Sequence, residues 1–119
     1  MKVIHFAEAE SYEAQKDWKR VSLCNETGVS VEYFVKPPRH ASPLHRHPQA
    51  QVTVVVRGRM VVRTEADGEA VLEEGDAAFF AADEPHVVTN LLDETSAGID
   101  IFAPGRPFDF WLKRTVPTS

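Results

Sequence analysis

Cysteine is almost absent from the chain: Cys24 stands alone in 119 residues, so no internal disulfide can form. With no basic or histidine neighbour in sequence, that thiol reads as a small buried hydrophobe rather than a nucleophile. Long apolar runs are missing too. The longest, at 52–56 and 77–82, are far too short to cross a bilayer and read as buried strands. There is no cluster of lysine and arginine, and the formal net charge is -5, which argues against nucleic acid as a partner. A small molecule or another protein is the expected partner, with no membrane involved. The first residues, MKVIHFAEAE, lack the basic-then-apolar plan of a secretory signal, so a cytoplasmic location is expected. No linker, repeat or low-complexity segment interrupts the sequence. Its length leaves room for one domain over 1–119, which by size scaling buries roughly two-thirds of the unfolded surface.

What is present is a succession of short strands. After an N-terminal strand at 3–6, the acidic stretch 7–17 has weak helical periodicity and is open between a turn of helix and a loop. From Trp18 onward, strands are predicted at 20–24, 29–36, 51–57, 59–65, 70–73, 77–81, 86–91 and 98–103. Turn residues punctuate them: Pro37-Pro38, Gly58, Asp67-Gly68, Glu74-Gly75 and Pro104-Gly105. Such spacing implies an all-β, antiparallel sandwich or closed barrel. If Gln51 faces the interior, alternation takes Thr53 and Val55 with it and leaves Val52, Val54 and Val56 on the other face. Cover for those valines comes either from the chain's own N-terminal strands or from a second subunit; a homodimer built across a sheet face is the expectation.

Chemistry concentrates in His45, His47, Gln51 and the distant His86. Imidazole is the commonest metal ligand, and residues two apart on a strand share a face, so His45, His47, Gln49 and Gln51 can converge. The plain alternative is two solvated loop histidines and one core histidine. For Gln51 two roles stand open: direct ligand through its amide oxygen, or a group that orients a neighbouring imidazole. His40 lies outside the ligand spacing and is expected to be exposed.

The stretch HRHPQAQVTVVVRG resembles the first motif of the cupins, with His45 and His47 as the paired histidines, Gln51 in the place of the usual glutamate and Gly58 as the closing glycine. GDAAFFAADEPHVVTN resembles the second, opened by Gly75, with His86 as the last ligand and Asn90 at its end. The resemblance implies a single cupin domain, an antiparallel jelly-roll β-barrel with its core over about 37–104. It also implies a divalent metal (Zn, Ni, Fe, Mn or Co) on His45, His47, Gln51 and His86. Arg39 and Asp83 stand where the motifs have glycine, and Ala81 where the second has proline, which bears on loop geometry rather than on the ligands. An amide in place of a carboxylate leaves the full cationic charge, favouring an anionic substrate.

Small cupins that open the ring of 4,5-unsaturated uronates in pectin and alginate breakdown share the three-histidine, one-glutamine set. They also carry an aspartate, a phenylalanine and an arginine at the spacing of Asp100, Phe102 and Arg106 in IDIFAPGR. This resemblance implies Asp100 as proton carrier, Arg106 as a second catalytic residue gripping the substrate carboxylate, and Phe102 and Gln49 as further substrate contacts. Read from the residues alone, Asp100 has two open placements, solvated opposite a core of Ile99 and Ile101 or inside the barrel, and Arg106 is either a surface charge or a group at the barrel mouth. Two other readings remain: an iron-dependent dioxygenase, and a non-enzymatic metal-dependent ligand-binding or sensor cupin.

Overall fold

The structure is a computed structural model that describes residues 1–113. Nine strands carry it: β1 (Ser11–Gln15), β2 (Trp18–Asn25), β3 (Ser30–Lys36), β4 (Ala50–Arg57), β5 (Met60–Thr64), β6 (Gly68–Leu72), β7 (Ala77–Phe80), β8 (His86–Asn90) and β9 (Ser96–Ala103). A single helical turn, α1 (Asp109–Leu112), follows. All strand pairings are antiparallel, in a six-stranded sheet ordered β1-β2-β3-β9-β4-β7 and a three-stranded sheet ordered β6-β5-β8. Isolated bridges Ala41↔Thr89 and His45↔His86 add the loop before β4 to the edge of the smaller sheet. The two sheets face each other as a jelly-roll barrel. No helix among the described residues is long and apolar enough to cross a membrane.

Strict alternation governs the interior. Along β4 the inward residues are Gln51, Thr53 and Val55, and along β3 they are Ser30, Glu32, Phe34 and Lys36. Register aligns these in layers: Gln51 opposite Phe102, Thr53 opposite Asp100, and Asp100 opposite Glu32. An apolar cluster of Phe34, Val55, Met60, Val62, Leu72, Phe80 and Val88 fills the space between the sheets. Each such side chain contributes about 1.5–3 kcal/mol on burial. A second cluster joins Trp18, Phe108 and Trp111, so α1 closes the barrel flank over β1 and β2.

Two expectations fail near the N-terminus. Residues 3–6 form no strand; an irregular segment runs into a 3-10 turn at Phe6–Glu8, and Val3, Ile4 and Phe6 stay largely exposed. The Phe6 ring meets Tyr33 edge-on at 5.1 Å, so the segment lies across the outer sheet face rather than along an edge where it could pair. The undecided stretch 7–17 contains β1, an edge strand whose alternating exposure and shifted register at Glu13/Gln15 hide the apolar period.

The glycine-replaced turns keep the backbone that glycine favours. Arg39 has φ of 58° and Asp83 of 61°. Asp83 N–H donates to the His47 carbonyl at 2.8 Å, which ties the two motif loops together.

Candidate metal centre

Strand pairing brings the three imidazoles together: His86 opens β8, His45 bridges to it from the loop before β4, and His47 lies two residues on. One ring nitrogen from each lies within 4.8 Å of the others. Every Nδ1 is tied to a backbone carbonyl: His45 to Pro43 at 2.8 Å, His47 to Gln49 at 2.9 Å and His86 to Glu84 at 2.8 Å. A carbonyl only accepts, so in His45 and His86 the Nδ1 carries the hydrogen and the Nε2 keeps its lone pair. The His86 ring is further fixed by parallel stacking on Phe80, 4.2 Å away.

Electrostatics hold the rings neutral. Burial pushes His45 down to about 4, against the Pro43 hydrogen bond and aided by the His86, His47 and Arg106 charges. Burial likewise lowers His47 and His86 from the ordinary imidazole value. Neutral imidazole is the ligating form.

Two contacts test whether a cation fits. His86 Nε2 is buried without a hydrogen-bond partner. His47 Nε2 lies 2.8 Å from Gln51 Oε1 while its Nδ1 lies 2.9 Å from the Gln49 carbonyl. A neutral imidazole has one N–H, so either tautomer leaves a lone pair facing an acceptor oxygen. A metal ion bound by both Nε2 and Oε1 removes that conflict. The donor set of three nitrogens and one oxygen suits a late divalent ion.

Beneath the histidines runs a buried polar column. Gln51 Nε2 donates to Thr53 Oγ1 at 2.8 Å and to Asp100 Oδ1 at 3.1 Å, and Thr53 Oγ1 donates to the same Oδ1 at 2.6 Å. Arg20 Nη2 donates to Asp100 Oδ2 at 2.8 Å, Arg20 Nε to Glu32 Oε1 at 2.9 Å, and Trp111 Nε1 to that Oε1 at 2.7 Å. Burial opposes the Arg20 charge, yet Glu32 and Asp100 outweigh it and hold the guanidinium above its ordinary value. Lys36 ends the column, pushed by burial and then by Arg20 down to about 7.

Each sequence-derived candidate now has a place. His45, His47, Gln51 and His86 come together as expected. Asp100 is 3% exposed and faces inward, so its solvated placement is ruled out: Ile99 and Ile101 take the outer face. Arg106 is not a surface charge. It is 6% exposed, with its guanidinium carbon 4.1 Å from the Phe102 ring centre, 4.3 Å from Phe110 and 4.9 Å from Trp111. Burial lowers it to about 10 against the pull of Glu32. Its Nε and Nη2 lack hydrogen-bond acceptors, Nη2 lying 3.5 Å from Glu32 Oε1. Phe102 stands between His47, 5.5 Å from its ring, and Arg106. Gln49 holds His47 through its backbone carbonyl, and its side-chain Oε1 is buried without a partner. His40 is half-buried rather than exposed.

Arg20, Glu32 and Lys36 escaped the sequence reading because charged residues alternating with apolar ones look like a solvent face. Their phase was the available signal: in VEYFVK, Glu32 and Lys36 alternate in step with Phe34.

Comparison with known proteins bears on the fold. A cupin RmlC-like structure from Shewanella frigidimarina NCIMB 400 superposes with a TM-score of 0.79 at 24% identity, covering 92% of this chain and 96% of that one. KdgF from Halomonas sp. gives 0.78 at 21% identity, over 88% and 96% of the two chains. The polyketide cyclase RemF from Streptomyces resistomycificus gives 0.74 at 20% identity, over 90% and 82%. At such identities the likeness speaks to architecture alone. No curated protein matches the sequence. The family model described as the cupin domain matches residues 32–102, a segment from β3 to β9 that contains all three clustered histidines, and the chain belongs to that family.

Proposed function

We propose that this chain is a metal-dependent enzyme acting on an anionic sugar acid, and that its reaction is the ring opening of 4,5-unsaturated uronates. The observation that carries the reading is the convergence of three imidazoles, two of them fixed with the Nε2 lone pair free, with the Gln51 amide oxygen. The IDIFAPGR segment supports the substrate class, since Arg106 keeps Nε and Nη2 without acceptors a short distance behind Phe102.

A divalent ion held by His45, His47, His86 and Gln51 would act as a Lewis acid toward a substrate oxygen. The remaining work falls to the protein. Arg106 would take the substrate carboxylate through Nε and, once Nη2 turns from its 3.5 Å ion pair with Glu32, through both, a paired contact that fixes orientation. Phe110, partly buried, packs on that guanidinium at 4.3 Å. Phe102 would form the wall between the carboxylate grip and the metal ligands. For Asp100 to carry a proton, its Oδ1 would first have to release Thr53 or Gln51.

Ring opening is an isomerisation and consumes no oxygen. The test is elemental analysis of protein purified without added metal, followed by ultraviolet absorbance of an unsaturated uronate mixed with the metal-loaded protein. Loss of the conjugated-acid absorbance without oxygen uptake is the expected result. Persisting absorbance rejects the substrate, and oxygen consumption moves the assignment to a dioxygenase.

A further inference from the structure

An amide side chain is chemically two-ended, and its covalent structure does not decide whether oxygen or nitrogen faces His47. The neighbours at its inner end decide. Thr53 Oγ1 commits its only hydrogen to Asp100 Oδ1, so toward Gln51 the hydroxyl acts as an acceptor. Asp100 Oδ1 is itself an acceptor. Both groups facing the inner end therefore demand N–H, and both do so because of Asp100. Its other oxygen is taken by Arg20, which Glu32 holds in turn. Gln51, Thr53 and Asp100 are 4%, 0% and 3% exposed, so bulk solvent offers no alternative partner.

We infer that Asp100 is a positioning residue, which fixes the Gln51 amide with its oxygen toward the metal centre, rather than a proton carrier that meets substrate. The inference rests on the metal-binding reading above. It gives residues 51 and 100 a coupled chemistry: one must donate where the other accepts.

The coupling is tested by exchanging the polarity of the pair. In Asp100→Asn the side-chain oxygen stays with Arg20 and the new N–H faces Gln51. The Gln51 amide then turns its nitrogen, which has no lone pair, toward the histidines. In Gln51→Glu two carboxylates face each other across the 3.1 Å contact and repel. The double variant Gln51→Glu/Asp100→Asn restores a donor opposite an acceptor with an oxygen toward the metal. The measurement is the cobalt(II) dissociation constant, by competition with a chelator, alongside urea denaturation of each metal-free variant. Asp100→Asn is expected to weaken cobalt binding by about 10–100-fold, the usual effect of removing a partner that orients a ligand, while in Gln51→Glu the repulsion from Asp100 offsets the gain of an anionic ligand. The double variant is expected to recover about tenfold or more over either single. If Asp100→Asn alone does not fold, the double variant against Gln51→Glu decides the matter.

Wild-type cobalt affinity in Asp100→Asn, or a double variant no tighter than Gln51→Glu, overturns the inference while leaving metal binding intact. Failure of the wild-type protein to bind cobalt overturns the metal reading itself, and the inference with it.

Discussion

At the level of single residues, the site depends on keeping imidazoles neutral. Burial pushes His45 down to about 4 and lowers His47 and His86, whereas an unfolded imidazole titrates at about 6.5. The folded values lie below the unfolded ones, so the unfolded chain binds protons first as pH falls. The histidine contribution to stability is therefore present above about 6.5 and lost progressively toward 4. Urea midpoints of the metal-free protein are expected to be level in this contribution from pH 7 to 8 and to drop between 6.5 and 4. Replacing the three clustered histidines by glutamine should reduce that drop, the remainder coming in part from His40, which burial pushes down to about 4.

Lys36 runs the other way. Its ammonium is held at about 7 by burial and Arg20, against about 10.4 in an unfolded chain. The destabilisation it causes is complete below pH 7 and fades as pH rises toward 10. Lys36→Met is expected to shift the stability of the metal-free protein more favourably at pH 6 than at pH 9.5, because it removes a charge that burial penalises. Equal gains at both values, measured by urea denaturation, would remove the buried charge as the cause. The clustering of His45, His47 and His86 was legible in sequence because their spacing puts them on one face of neighbouring strands. Arg20, Glu32 and Lys36 were not, because a charge points inward only when partners from other strands neutralise it, and those partners are remote along the chain.

Among the secondary-structure elements, the strands from β2 to β9 follow the predicted positions to within a few residues, since each is bounded by glycine, proline or a charged turn. β1 and α1 left no such trace: one is a bulged, polar edge strand, the other a single turn after Pro107. The two motif turns without glycine are informative in energy. A non-glycine residue in the left-handed region costs about 1–2 kcal/mol, and aspartate tolerates it better than most. Asp83→Gly is expected to leave stability unchanged or raise it by up to about 1 kcal/mol. Asp83→Val, β-branched at φ of 61°, should lower it by about 1–2 kcal/mol. The reverse order in urea denaturation would show that the Asp83 side chain, not the backbone, sets the turn. Because the Asp83 N–H holds the His47 carbonyl, the valine variant should also weaken metal binding.

For the molecule as a whole, the outer face of the six-stranded sheet stands out. Val52, Val54, Ile99 and Ile101 pair across β4 and β9 and are only partly buried, while Val56 and Phe79 are 45% and 67% exposed. The chain's own N-terminal segment reaches Tyr33 on this face but does not cover the β7 side. Contiguous exposed apolar surface of this kind is unusual on a monomer. Light scattering is expected to return twice the chain mass, and Phe79→Glu with Val54→Glu to return one chain without loss of the β signal in circular dichroism. A wild-type monomer at millimolar concentration would exclude the homodimer.

Three rings tethered by backbone carbonyls, one of them stacked on the core residue Phe80, form a cradle that is set before any ion arrives. Such a cradle would exert little choice of its own, and which of zinc, nickel, iron, manganese and cobalt it took would follow supply as much as fit.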